Sequence, residues 1–272
     1  MSGSDPTSDG AMPFVAPCRA LEPTAPLRWL RRGFEDLKRA PRQSLSYGLL
    51  MALVSLGVVA YALVYGTRFG NYWLLIGLAT GFVFVAPALA MGLYEISAAL
   101  ERGERPTLAG SVRAGLGHLS DELVFGLMLL VVFLVWARAA SMVHVFFPPT
   151  GEPGAADLIP FLAIGSAVGS IFALIIFAAS AFSLPMLMDR QSDAITAVLT
   201  SLNAVLRNKP AMAVWIAIIV ASVLIGFATL LVGFAITLPL IGHATWHAYR
   251  DTIDASAWPQ HGTQRSAPPS NH

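Results

Sequence analysis

Leu158 to Met188 reads LIPFLAIGSAVGSIFALIIFAASAFSLPMLM, a run without a single charged side chain. A helix rising 1.5 Å per residue needs about 20 apolar residues to cross about 30 Å of hydrocarbon, and this run exceeds that length. It therefore sets the class of the molecule as a membrane helix bundle. Just before it, Pro148, Pro149, Gly151, Pro153 and Gly154 form a cluster of helix breakers that predicts a loop. On the far side of that loop lies a second apolar run, Leu123 to Phe147. Ser46 to Gly66 and Tyr72 to Tyr94 are two more, joined by a short turn holding Arg68 and Asn71, with Tyr72 and Trp73 suited to an interfacial aromatic belt. The stretch from Ala211 to Tyr249 reads either as one long tilted helix or as two spans, 211–228 and 230–249. The expectation is an all-α bundle of six spans, with five as the alternative.

Composition agrees with this class. The chain has 272 residues, of which 56% are hydrophobic and only 12% charged, about half the charged share of a soluble domain. A formal net charge of +1 offers no general attraction to nucleic acid. Cys18 is the only cysteine, which excludes an intrachain disulfide and a thiolate metal cluster. Residues 1–26 are rich in Ser, Pro, Gly and Ala without the apolar core of a cleavable signal, and they read as a disordered tail. Residues 255–272 read the same way, so the expected membrane domain is 27–254.

Within that domain the pattern recurs three times. Units beginning at Leu27, Thr107 and Ser192 each pass from an amphipathic segment into long apolar sequence that closes at Pro87, Pro185 or Pro239. In the third unit Ile195, Val198, Leu199, Leu202, Val205 and Leu206 fall at helical spacing behind Ser192 as the expected cap. Leu27, Leu30, Phe34 and Leu37 repeat the stripe in the first unit, and Leu108, Val112, Leu116 and Leu119 in the second. Such helices are expected to lie on a membrane surface, apolar face down and drawn to anionic headgroups, or else to pack together as a cap. Proline at Pro41 and Pro210 ends one helix and begins the next.

Orientation follows from the basic residues. Arg28, Arg31, Arg32, Lys38, Arg39 and Arg42 precede the first span, Arg102, Arg105 and Arg113 lie between the second and third, and Arg190, Arg207 and Lys209 between the fourth and fifth. By the positive-inside rule these segments and the amino terminus are cytoplasmic, and six spans would place Arg250 there too. Arg138 falls near the opposite surface, where its stem can snorkel outward.

Candidate sites are few. Gly77 with Gly81, and Gly165 with Gly169, are small residues four apart that would let helices approach closely in lipid. Pro87, Pro185 and Pro239 could each bend a helix and free a carbonyl, as at transporter binding sites. His243 and His247, also four apart, could share a metal or supply an axial haem ligand, although no third ligand is fixed nearby and no haem-attachment motif exists. Histidines set among Trp246, Tyr249 and Arg250 equally suit interfacial anchoring. The acidic pairs Glu35-Asp36 and Asp121-Glu122 read as solvated faces, Asp251 and Asp254 with Arg250 as an exposed ion cluster. No phosphate loop or nucleophile elbow appears.

The segment Trp29 to Leu37 with Pro41 and Tyr47-Gly48, the segment Pro87 to Tyr94, and Gly242 to Asp251 resemble a bacterial integral membrane family catalogued as domain of unknown function 2189. The resemblance spans roughly Pro26 to Ile253. It implies a multi-pass protein of the bacterial inner membrane and, through the cytochrome c oxidase label some members carry, a respiratory context. Three functions then compete. One is a non-enzymatic protein that organises lipid or partner subunits, the second a transporter, and the third a redox subunit binding haem or copper at His243 and His247. An absence of buried acid or base would argue against ion coupling in the second.

Overall fold

The computed structural model describes residues 14–61, 63–64, 87, 89–117, 119–146 and 155–261. Among these residues the chain is all-helical, with two isolated β-bridges and no strand. The helices are α1 (Ala25–Arg39), α2 (Pro41–Tyr61), α3 (89–101), α4 (Leu108–Gly117), α5 (Leu119–Phe146), α6 (Ala155–Ser180), α7 (Ser183–Asp189), α8 (Ala194–Arg207), α9 (Lys209–Ala228) and α10 (Phe234–Thr252). Three times a short helix leads into an apolar one, at α1–α2, α4–α5 and α8–α9.

Two of those junctions share one device. Pro41 opens α2 and Pro210 the first turn of α9, positions where a backbone N–H has no intrahelical partner to lose. At the second junction buried Asn208 adds a clamp: its Oδ1 accepts from Leu21 N at 2.8 Å, and its Nδ2 donates to Arg19 O at 3.1 Å.

The bundle has two unlike ends. At the charged end, Trp29, Phe125, Phe182, Met186, Leu187, Met212, Trp215 and Tyr249 pack into one core, with the Trp29 and Trp215 rings edge to face at 5.7 Å. Away from it the helices leave much of their apolar surface uncovered. By length and composition four described segments can cross a membrane, Pro41–Tyr61, Leu123–Met142, Ile159–Asp189 and Lys209–Ala228. Mean hydropathy is 2.4 in the most apolar stretches of both middle segments, yet only 11% and 0% of those stretches is buried. Side chains so apolar and so exposed need hydrocarbon as their solvent.

The structure also decides how the chain runs from Ala211 to Tyr249. It is not one helix. Ala228 ends α9, the turn Thr229–Gly233 reverses the chain, and α10 returns alongside. Leu230 and Leu231 adopt left-handed φ values of 53° and 71°, at a cost of about 1–2 kcal/mol each. The turn is tied locally by Leu231 N to Gly226 O at 2.8 Å and by Gly233 N to Thr229 Oγ1 at 2.9 Å, and Leu230 at its tip is 81% exposed. Unlike the four apolar segments, α10 is buried for much of its length. It runs antiparallel to α1 and α2, pairing Phe234 with Ala52, Pro239 with Gly48, His243 with Ser44, His247 with Asp36 and Asp251 with Trp29.

Several expectations are corrected. The run from Leu158 to Met188 is not one continuous helix: α6 stops at Ser180, the chain turns at Ala181–Phe182, and residues 181–188 are all buried in the charged-end core. Pro185 is the third residue of α7, where its missing N–H breaks no bond, so it does not kink a membrane helix. The tails are shorter than expected. Ala16 is buried and its N–H donates to Thr200 Oγ1, Cys18 bridges Ile253, and Asp254 N donates to Pro17 O. Trp258 is buried too, and its carbonyl accepts from Arg190. Composition concealed this because the ordering comes from backbone pairing between the two ends. Residues 1–13 and 262–272 lie outside the described residues, as do Gly77, Gly81 and most of the expected second span.

Candidate functional site

Polar side chains recur once per turn on the face of α10 that meets α1, α2 and α3. His243 is fully buried, with Nε2 at 2.8 Å from Ser44 Oγ and Nδ1 at 2.8 Å from Ser97 Oγ, both serines being buried as well. One turn on, His247 Nε2 lies 2.8 Å from Asp36 Oδ2, and Asp36 is 4% exposed. After another turn Asp251 accepts from Trp29 Nε1 at 2.9 Å and from Arg32 at 3.0 Å. The next face of α10 is equally engaged: Trp246 Nε1 and Arg250 both donate to Glu101, and the Tyr249 hydroxyl donates to Asp189 at 2.8 Å.

This seam reassigns several residues. The rings of His243 and His247 each hold their own partners, both nitrogens of His243 being taken by serine hydroxyls. Among the described residues no three His, Cys, Asp or Glu side chains form a group able to hold a metal. Asp36 is not a solvated acid, because only its neighbour Glu35 faces outward, paired with Arg31. The cluster of Asp251 and Asp254 with Arg250 does not form either, since Arg250 turns to Glu101. A buried acid and a buried imidazole are therefore present where none was expected. The one sequence signal for this seam was the four-residue spacing of His243, His247 and Asp251; Ser44 and Ser97 carried none.

Among the described residues, close backbone approach occurs at glycines other than Gly165 and Gly169. A Cβ on Gly165 would meet nothing within 4 Å, and one on Gly169 only Trp136 at 3.9 Å. On Gly33 it would stand 2.7 Å from Ala244 N, and on Gly48 2.0 Å from Ala235 O. Pro87 is helical and buried, and Pro239 is buried within α10 beside Gly48. Of the basic residues, Lys38 lies over the Phe34 ring at 4.3 Å, Arg39 is exposed, and Arg138 is exposed on α5.

The surface helices show a second feature. In α4 and α8 the small residues turn inward and large apolar ones outward, and α1, which buries Trp29 and Leu37, also leaves some large apolar residues exposed. In α4, Ser111 and Gly115 are buried while Leu108, Val112 and Leu116 are exposed. In α8, Ala194, Ala197, Thr200, Ser201 and Ala204 are buried, and Ile195 and Leu206 stand out. In α1, Trp29, Gly33 and Asp36 face the core whereas Leu27 and Phe34 do not. The arrangement in α4 and α8 is the reverse of that on a surface helix of a soluble protein.

The cap of α8 is Asp193 rather than Ser192. Its carboxylate accepts from Thr196 N at 2.9 Å and Thr196 Oγ1 at 2.7 Å. Burial raises the pKa of this carboxyl, but the Thr196 hydrogen bonds outweigh it and hold the value below the ordinary one. A carboxyl with a depressed pKa stabilises the fold above its unfolded value, and this contribution is lost as pH falls through the folded value. Asp193→Ala is therefore expected to lower stability by about 1 kcal/mol at pH 7. The difference from the native chain should shrink below about pH 4, a trend that thermal unfolding in detergent at pH 7 and pH 3 would read.

All-helical architecture with four exposed segments able to cross a bilayer defines an integral membrane protein. Comparison with known families agrees: residues 74–189 match the family described as predicted integral membrane protein (DUF2189). That match bears out the family drawn from the sequence and includes the Pro87 to Tyr94 segment, while the segments at Trp29 to Gly48 and Gly242 to Asp251 lie outside the matched residues. No curated protein and no solved structure matches the chain.

Proposed function

We propose that this chain is a non-enzymatic protein of the bacterial inner membrane that organises lipid at the inner surface, with six spans and a cytoplasmic amino terminus. In this reading the charged end sits at the cytoplasmic face, and α1, α4 and α8 form a collar immersed in the headgroup layer. The outward apolar faces of these three helices carry the proposal. Left in water, each would expose side chains whose burial is worth about 25 cal/mol per Å². Immersed, they lie beside Arg28, Arg31, Arg39, Arg113 and Arg207, which suit anionic headgroups at about 1 kcal/mol each. The stretch Trp246 to Asp251 is spent on internal hydrogen bonds, which leaves lipid rather than a partner subunit as the favoured contact.

Spin labels at Val112, Ile195 and Leu206, in a Cys18→Ser background reconstituted into vesicles containing phosphatidylglycerol, would test this. The expected result is relaxation by oxygen at all three positions, with little relaxation by a water-soluble nickel chelate. Strong nickel relaxation at all three would overturn the reading.

A further inference from the structure

A second feature of the charged end is not accounted for by lipid contact. Between α3, α4, α7, α10 and the segment after Ile253 lies a half-open cleft of about 580 Å³, within the range of small-molecule sites. We infer that this cleft binds a small zwitterion carrying a phosphate and an ammonium group.

The small side chains of Ala98 and Ala114 leave room, beside Met188 and Trp246. Around it stand Glu95, Glu101, Asp189, Arg102 and Arg250. The carboxylates are already oriented. Both oxygens of Glu101 are held, one by Trp246 Nε1 and the other by Arg250 Nε, and Asp189 accepts from Tyr249 and Arg190. Arg102 reaches Glu95 at 2.7 Å and Glu104 at 3.0 Å through one nitrogen, Nη2. Its Nη1 and Nε therefore remain to meet a phosphate in the forked geometry guanidinium favours. Arg250 spends Nε on Glu101 and comes no closer than 3.9 Å to Asp189 through Nη1, so it too keeps donors for an anion.

The charge balance selects the rest of the ligand. Counting the partners as well, Glu95, Glu101, Glu104 and Asp189 against Arg102, Arg190 and Arg250 leave one surplus negative charge, which disfavours a bare dianion and favours a molecule that brings a cation with its phosphate. Preset carboxylates suit an ammonium because binding it requires no reorganisation. The phosphoethanolamine group has this chemistry, as a soluble ester or as a lipid headgroup. Ala114 sits across α4 from Leu108, Val112 and Leu116, which places the cleft about one helix diameter, about 10 Å, from the outward apolar face. Both sources are within reach.

Calorimetry on the detergent-purified full chain would test this without depending on the lipid-organising proposal. Phosphoethanolamine should bind saturably at one site, with ethanolamine and inorganic phosphate each at least tenfold weaker. Arg102→Gln, at a half-exposed position, should weaken binding at least tenfold, and Ala114→Leu should abolish it by filling the space. In nanodiscs, weaker binding of the soluble probe when the lipid is phosphatidylethanolamine than when it is phosphatidylglycerol, which has no ammonium group, identifies the headgroup as the occupant. Equal binding identifies a soluble ligand. Absence of saturable binding to the native chain overturns the inference, as does undiminished binding to a folded Arg102→Gln variant.

Discussion

Gly48→Val is expected to prevent the bundle from forming or to destabilise it beyond the about 1–3 kcal/mol of ordinary overpacking. A Cβ there would stand 2.0 Å from the carbonyl oxygen of Ala235 and 2.7 Å from Pro239 Cγ. Both obstacles belong to the backbone or ring of α10, and neither can step aside by changing rotamer. Relief would require separating α2 from α10, which would pull Ser44 from His243 and Ala52 from Phe234. Gly165→Val is the control, since open space surrounds that position. Thermal unfolding in detergent should show Gly165→Val near the native chain and Gly48→Val without a folded transition. A Gly48→Val protein melting at the native temperature would refute the α2–α10 contact.

The second large effect is expected at His243. Substituting leucine fills much of the ring volume but strips two buried hydroxyls, Ser44 and Ser97, of their partner. An orphaned buried polar group costs about 1–3 kcal/mol, so the pair together would cost on the order of 2–6 kcal/mol. The asymmetry of hydrogen-bond energetics gives the sharper test. Removing both serines as well, in Ser44→Ala/Ser97→Ala/His243→Leu, should recover most of the loss, because nothing polar is then left unpaired. Chemical unfolding of the two variants measures the difference. If the triple variant were as unstable as the single one, the hydrogen bonds would not be the source of the cost.

These two residues also show what the sequence could and could not disclose. Length and hydropathy located the apolar segments because crossing hydrocarbon imposes a residue count that any solution must meet. Helical periodicity likewise located the exposed Leu108, Val112 and Leu116 of α4 and Ile195 and Leu206 of α8, whereas in α1 it joined exposed Leu27 and Phe34 to buried Leu37. Neither could indicate that Gly48, rather than Gly165, is where two backbones touch, since that depends on which helix lies opposite. Asp36 was misread for the same reason: a carboxyl beside Glu35 in a basic helix looks solvated until α10 brings His247 against it. The His243 and His247 spacing was legible as one face of a helix, but its partners come from α1, α2 and α3, far away in the chain. The packed segments 14–24 and 255–261 were hidden because backbone pairing between two ends leaves no signature in composition.

The hairpin between α9 and α10 has a mechanical corollary. Its tip carries leucine and valine between Thr229 and Gly233, and the backbone N–H groups of residues 229–233 all donate within the turn. A hairpin with a polar crown is pinned at two surfaces; this one has its polar fastenings at its base, the clamp of Asn208 and the pairing of Asp251 with Trp29 and Arg32, and meets its neighbours near the tip through the apolar contact of Leu231 and Phe234 with Ala52. In the six-span arrangement proposed above, its polar anchorage then lies on one side alone, and a thinner or thicker bilayer can be tolerated without dragging charge into oil.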